Sequence, residues 1–145
     1  MTYAPVEELV LHRPPMLLID EVTEYEPERI ACAVTVRGFP PLGTHDAIPG
    51  LVALEYMAQA VAAYAGLRAR ERGEPLLPGF LIGISRMDVR VPSFRVGERL
   101  TASARHTWGD VRIGSFDTTL TRSDTHLAAA TLKVARGDPK ELGLA

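Results

Sequence analysis

A carboxylate and an amide lie one helical turn apart in an otherwise apolar stretch of this chain. The stretch runs from Leu51 to Leu67 and reads LVALEYMAQAVAAYAGL, in which Glu55 and Gln59 are the strongly polar residues. Side chains four residues apart share one face of a helix, so the two can hydrogen-bond each other or a common ligand. Burying a carboxylate among apolar side chains is costly, which favours a functional role such as acid–base catalysis. The structural alternative is that Glu55 reaches solvent or caps a loop amide.

Histidine is the natural partner for acid–base chemistry near neutral pH, and the chain has four histidines. His45 lies ten residues before Glu55, in the loop GTHDAIPG that leads into the apolar stretch, and could fold back over the first helical turn. Its alternative is a histidine on a surface loop. We expect His12, in LHRPP, to be structural, and His106 and His126, on or beside late strands, to be non-catalytic.

Pro49 and Gly50 stand at the start of the same apolar stretch. Free amides at a helix N-terminus favour negatively charged oxygens. The N–H of Gly50, with no side chain in the way, could therefore polarise a carbonyl group that approaches the first turn. Together, His45, Glu55 and Gly50 define a possible base, acid and oxyanion donor.

The elements that must position these residues are one long helix and several strands. The helix is predicted over Leu51 to Leu67, followed by LRARERG, in which Gly73 is the stop signal. Short β-branched and apolar segments separated by turn residues predict the strands. These are Met16 to Val22, Ile30 to Val36, Phe80 to Pro92, Leu100 to Trp108, Arg112 to Thr121 and Leu127 to Ala135.

A helix that is apolar on nearly every side needs cover on more than one side, which a curved sheet can provide. The pattern predicts an α+β fold in which an antiparallel sheet of five or six strands wraps around one long central helix. With 145 residues and 46% hydrophobic composition, the chain fits a single domain, residues 1–145, with a loose tail from about residue 138.

Composition excludes several classes of function. A net charge of −2 offers no basic footprint for nucleic acid. The only cysteine, Cys32, allows neither an intramolecular disulfide nor a cysteine-based zinc site, and no metal site is expected. The first residues do not resemble a secretory signal, and the apolar run is short and carries a carboxylate, so we expect no membrane span and a cytoplasmic location.

Three segments resemble those of the hotdog-fold (3R)-hydroxyacyl-[acyl-carrier-protein] dehydratases. Residues 10–20, VLHRPPMLLID, resemble the family's LPHRxPxLLVD opening. Residues 49–59, PGLVALEYMAQ, resemble its PGxxxxExxAQ helix start, and residues 83–100 are similar to its GI…PGDxL segment. The resemblance covers roughly residues 8–136, and IPGLVALEYMAQAVAAYAG is similar to the branch associated with aryl polyene and related lipid biosynthesis.

This resemblance implies a hotdog fold that usually dimerises with continuous sheets, with the histidine and the helix carboxylate of each site contributed by different subunits. On the matching positions, Glu55 is the acidic residue, Gly50 the backbone donor to the substrate carbonyl and Gln59 a supporting residue. The family pattern HFPGxPxMPG places its histidine farther from the carboxylate. Either the loop is shortened around a retained His45, or His45 fills the position by accident.

The implied reaction is the reversible dehydration of a (3R)-3-hydroxyacyl thioester to a trans-2-enoyl thioester. His45 would remove the C2 proton, Gly50 would stabilise the thioester oxygen, and Glu55 would help the C3 hydroxyl leave as water. No cofactor is implied, since the phosphopantetheine arm belongs to the substrate on its acyl carrier protein. The expected assembly is a homodimer or higher oligomer, or a heterodimer. The alternatives are a hotdog acyl-thioester hydrolase and a non-catalytic acyl-binding subunit of a heteromeric dehydratase.

Overall fold

A computed structural model of the chain describes residues 2–110, 112–138 and 140–143. Within these residues one long helix, α1, spans Ala53–Glu71 and follows a 3-10 turn at Gly50–Val52. The chain leaves α1 through Gly73, whose φ of +66° suits a residue without a side chain. The predicted helix is confirmed: it begins two residues after Leu51 and ends within LRARERG, just before the predicted stop at Gly73.

Eight strands follow one another along the described part of the chain. They are β1 (Glu21–Glu26), β2 (Arg29–Thr35), β3 (Ala47–Pro49), β4 (Gly79–Val89), β5 (Ser93–Arg95), β6 (Arg99–Gly109), β7 (Ile113–Arg122) and β8 (Thr125–Arg136). Six of them form one antiparallel sheet in the order β1-β2-β6-β7-β8-β4, and β3 pairs with β5 separately. The predicted α+β architecture is therefore confirmed, while β3 and β5 were missed because strands of three residues show no period.

The sheet and α1 enclose the core between them. Met57, Ala60 and Ala63 on α1 are fully buried, as are Ala102 on β6 and Leu132 on β8. Small alanines on both sides let the helix approach the sheet closely, which explains the alanine-rich composition of the helix. By length and composition Gly50–Glu71 could also cross a membrane, but 61% of its most apolar window is buried inside the domain, as in a core helix.

The first strand differs from its prediction. Met16 to Val22 was expected to be a strand, but β1 begins only at Glu21. The backbone N–H groups of Leu18 and Ile19 donate to the side-chain oxygen of Gln59 on α1, at 2.8 and 3.4 Å, rather than to a neighbouring strand. The apolar pattern therefore reflects burial of an irregular segment against the helix.

The end strand β4 leaves one edge of the main sheet open. It pairs with β8 on one side, and no other strand in the described part of the chain pairs with its second edge. Leu81, Ile82 and Ile84 on this strand are 41%, 48% and 45% exposed. The expected tail from about residue 138 lies partly outside the described residues, and residues 140–143 form a turn.

Candidate active site

Glu55 and Gln59 meet on the first turns of α1, as their spacing predicted. The Gln59 Nε2 donates to Glu55 Oε1 at 2.9 Å. Gln59 is fully buried, whereas the Glu55 side chain is 36% exposed. The Glu55 carboxylate therefore lies at the boundary between the buried core and a partly open region, and the Gln59 amide binds it from the core side.

The orientation of the Gln59 amide is fixed by its neighbours. Its Oε1 accepts the N–H of Leu18, and its Nε2 also donates to the carbonyl oxygen of Met16 at 2.7 Å. Since a backbone N–H can only donate, the amide cannot flip, and it must offer a donor to Glu55. Glu55 Oε1 is thereby an acceptor, and within the described residues no hydrogen bond engages Oε2. Oε2 is thus the oxygen that can exchange a proton with a ligand.

His12 faces the same carboxylate from the N-terminal segment. Its Nε2 lies 3.6 Å from Glu55 Oε1, and its side chain is 36% exposed. Its Nδ1 is buried and has no hydrogen-bond partner among the described residues. Sequence reasoning took His12 as structural, because nothing in its local pattern indicates that the segment crosses over α1.

Two contacts hold the segment that carries His12 against α1. The backbone of Leu9 packs onto Gly66 so closely that a Cβ at this glycine would lie 2.0 Å from the Leu9 carbonyl oxygen. Farther along, Gln59 binds the backbone of Met16 and Leu18. His12 lies between these two attachment points, so its position relative to Glu55 is set by the fold.

An elongated cavity of about 790 Å³ opens beside the pair. One wall is a face of α1 on which small side chains follow Glu55, namely Ala58, Ala62 and Ala65, while the opposite wall includes Phe80 and Phe116. Since α1 rises about 1.5 Å per residue, the cavity extends roughly 20 Å from Glu55 toward the end of the helix. At that end it is lined by arginines: Arg68, Arg72, Arg112 and Arg136.

The structure does not bring His45 to Glu55 within this chain. His45 is exposed and lines a separate pocket of about 520 Å³, together with Asp46, Ser93 and Arg95. A pairing of His45 with the carboxylate of another subunit, as the family resemblance implies, stays a prediction. His106 lines the large cavity but stacks on Phe116, with ring centroids 5.0 Å apart.

The expectation for Gly50 needs a correction. Its N–H donates to the carbonyl oxygen of Pro92 at 2.9 Å, so in this chain it is not a free donor for a substrate carbonyl. A Cβ at this position would lie 2.2 Å from the Val91 carbonyl oxygen. The glycine is therefore explained by the close approach of two backbone segments.

The arrangement suits acid–base chemistry on an elongated, largely apolar molecule. A carboxyl oxygen and an imidazole nitrogen open into one end of the cavity, which has apolar side walls and a basic far end. In the part of the chain that the structure describes, no three histidine, cysteine or acidic side chains converge as metal ligands. Glu55 and His12 are therefore the candidates for proton transfer at this end.

Comparison with known proteins also indicates a dehydratase. Residues 4–143 match the ApeP-like family, described as ApeP dehydratase. Over 93 residues the chain is 32% identical to the 3-hydroxyacyl-[acyl-carrier-protein] dehydratase FabZ of Anaeromyxobacter sp. (strain K), a match that spans 60% of this chain and 60% of that protein.

Solved structures support the fold. A chain of the dehydratase heterocomplex ApeI:P from Xenorhabdus doucetiae is 29% identical and superposes with a TM-score of 0.89, covering 97% of this chain and 95% of its own. The TT0310 protein from Thermus thermophilus is 21% identical, covers 87% of this chain and all of its own, and reaches a TM-score of 0.62, which shows the fold alone. With the hotdog fold confirmed and the family match spanning nearly the whole length, this chain belongs to the ApeP-like dehydratase family.

Proposed function

We propose that the chain catalyses the reversible dehydration of a 3-hydroxyacyl thioester, carried on an acyl carrier protein, to a trans-2-enoyl thioester in fatty-acid or polyene-type lipid biosynthesis. The observation that carries the proposal is the position of Glu55 beside His12 at one end of the elongated cavity. Gln59 donates to Oε1 of the carboxyl group, and Oε2 has no hydrogen-bond partner among the described residues. The family assignment supports the same chemistry.

In the proposed reaction, Glu55 acts as the acid. Its Oε2 gives a proton to the C3 hydroxyl, and the C3–O bond breaks as water leaves. A base takes the C2 proton, and the electron pair of the C2–H bond forms the new double bond. The N-terminal end of α1 lies beside Glu55, where its dipole favours the negative charge that develops on the thioester oxygen.

The basic end of the cavity supports an acidic carrier as the partner. Burial lowers the pKa of Arg136, the nearby Glu74 opposes this effect, and Arg72 adds a smaller lowering effect. Four arginines line this end of the cavity against the carboxylates of Asp110 and the nearby Glu74, and this excess of positive charge attracts an acidic protein or a phosphate. We propose that the carrier docks here, and that its phosphopantetheine arm enters the cavity.

The free edge of β4 supports assembly with a second hotdog chain. Exposed strand edges with apolar side chains are places where another strand can add. The similar chain from Xenorhabdus doucetiae belongs to a heterocomplex, so we propose that the partner is either a second copy or a related subunit. In either case the sheets would become continuous across β4.

The test is hydration of a carrier-linked trans-2-enoyl thioester, followed by mass spectrometry. We expect the wild-type protein to add water, and Glu55→Gln to lose about 100-fold or more in kcat, because the amide cannot exchange the proton. Release of free carrier thiol would instead indicate a thioesterase. No conversion at any chain length by folded protein would indicate a non-catalytic acyl-binding subunit.

A second arm of the same assay tests the carrier. Arg72→Glu should raise the KM for the carrier-linked substrate about tenfold and leave that for a small-molecule thioester unchanged, because only the carrier meets the basic end. Arg105→Glu is the matched control, since Arg105 is exposed on β6 and does not line the cavity. Equal effects of the two variants would argue against this docking site.

A further inference from the structure

We propose that His12 is a catalytic residue of this site, and that it works with Glu55 of its own chain rather than of a partner subunit. The inference rests on the proposed dehydratase function and assigns its base. It differs from the arrangement that the family resemblance implied, in which His45 and the carboxylate come from different chains.

The imidazole and the carboxyl group are close neighbours that both remain available to a ligand. His12 Nε2 and Glu55 Oε1 are 3.6 Å apart, which is longer than a hydrogen bond. The two groups therefore do not hydrogen-bond each other, and both can bind a ligand. Both side chains are about one third exposed, and both line the large cavity. A substrate that binds at this end therefore meets the imidazole and the carboxyl group together.

The other ring nitrogen of His12, Nδ1, does not hold the segment in place either. Buried side-chain polar atoms nearly always have a hydrogen-bond partner, and the exceptions call for an explanation. His12 Nδ1 is buried without one among the described residues. A histidine kept only to hold a loop would use its nitrogens for that purpose, whereas here neither nitrogen holds the segment in place.

The backbone on either side of the imidazole sets its position. The backbone of Leu9 packs on Gly66. The backbone of Met16 and Leu18 hydrogen-bonds to Gln59, which also donates to Glu55. A base and an acid that act on adjacent carbons must keep a fixed separation. The shared attachment to α1 provides that separation within a single chain.

The proposed step balances in protons and electrons. His12 Nε2, carrying its lone pair, takes the C2 proton and becomes an imidazolium ion. The C2–H electron pair forms the C2–C3 double bond, the C3–O bond breaks, and the departing hydroxide takes the Glu55 Oε2 proton to leave as water. The pair ends as imidazolium and carboxylate, and the reverse transfers add water to an enoyl thioester.

The first experiment compares His12→Gln with His126→Gln, both assayed for hydration of the carrier-linked enoyl thioester. Glutamine can still hydrogen-bond at the Nε2 position but cannot accept the proton. We expect His12→Gln to lose about 100-fold or more in kcat with KM changed less than threefold and an unaltered unfolding midpoint. His126 is exposed and lies outside the cavity, so its variant should keep the wild-type rate.

Three results would overturn the proposal. His12→Gln with near wild-type kcat, beside an inactive Glu55→Gln, would remove His12 from catalysis and leave the dehydratase function standing. A fall in kcat matched by a fall in the unfolding midpoint, and repeated by His12→Asn, would give His12 a structural role. Wild-type protein that hydrates no substrate would defeat the proposed function, and the His12 assignment with it.

The second experiment tests whether the pair lies in one chain. His12→Gln and Glu55→Gln chains with different affinity tags are coexpressed, and assemblies that contain both are purified. If His12 and Glu55 act within one chain, every site carries one defect, and the mixed assembly stays inactive. Recovery of about half the wild-type activity would show that the two residues meet across subunits. If no mixed assembly forms and wild-type activity belongs to the monomer, the pair is necessarily within one chain.

Discussion

Gln59 is the side chain on which both the carboxylate and the N-terminal segment depend. It fills four hydrogen-bonding roles while fully buried, to Glu55 and to the backbone of Met16, Leu18 and Ile19. The Glu55–Gln59 pair could be predicted from the sequence, because two residues four apart on a helix meet through local geometry alone. The contact of His12 with Glu55 could not, because it depends on where an irregular segment crosses the helix.

Replacing Gln59 should therefore cost stability and activity together. Gln59→Leu leaves the buried N–H groups of Leu18 and Ile19 without partners, and we expect the free energy of unfolding to fall by about 2–4 kcal/mol in urea titrations. Activity per folded molecule should fall at least tenfold, since Glu55 and His12 lose their fixed separation. Thr118→Val is the control: Thr118 is also buried and donates to the Ala130 carbonyl at 2.8 Å, but it lies outside the site. Its loss should lower stability only, and equal loss of activity in both variants would contradict the assignment.

At the scale of elements, α1 and most strands follow from local patterns, whereas the start of β1 does not. Neighbouring residues alone indicate both a helix that is apolar on nearly every side and strands that are separated by short turns. The segment before β1 has the composition of a strand, but its amides are taken by a side chain some forty positions later. Such a long-range partner leaves no local signature. The same is true of Gly66, whose need for a glycine arises from Leu9.

Gly66→Ala tests how the N-terminal segment is seated on α1. Within a helix this change ordinarily stabilises by about 1 kcal/mol. Here the new methyl group would lie 2.0 Å from the Leu9 carbonyl oxygen, so we expect a loss of about 1–3 kcal/mol in the free energy of unfolding, with kcat falling more than KM rises. In Gly83→Ala the nearest atom would be 3.6 Å away, and little change is expected. A stabilised Gly66→Ala protein with full activity would mean that the segment does not need this contact.

At the scale of the whole molecule, two buried groups that lose protons at high pH, a cysteine thiol and a tyrosine hydroxyl, should make the protein less stable in alkali. Burial raises the pKa of Cys32 to about 12 from an ordinary value of 9.0. Burial likewise raises the pKa of Tyr56 to about 12 from 10.0, with a smaller lowering effect of Arg37 and a raising effect of Asp20. Both groups keep their protons in the folded state and lose them first in the unfolded state. The unfolded state then binds fewer protons, so the free energy of unfolding decreases as pH rises.

The ordinary and the raised pKa values set the pH range over which stability should change. Stability should be unaffected by the two groups below about pH 9, decline from there, and level off near pH 12. Urea titrations at pH 8, 9.5 and 11 measure the decline, and Cys32→Ala and Tyr56→Phe should each reduce its slope. Curves for the variants that run parallel to that of the wild-type protein would show that these two groups are not its source.

The attachment of the N-terminal segment to α1 also has a kinetic meaning. The bond from Gln59 to Met16 closes a loop of 43 residues, whereas the hairpins β6–β7 and β7–β8 close through short turns. Contacts between distant parts of a chain carry a larger loop-closure cost and tend to form after local ones. A refolding molecule should thus form its local hairpins before His12 reaches Glu55, so that recovery of catalysis lags the first recovery of secondary structure.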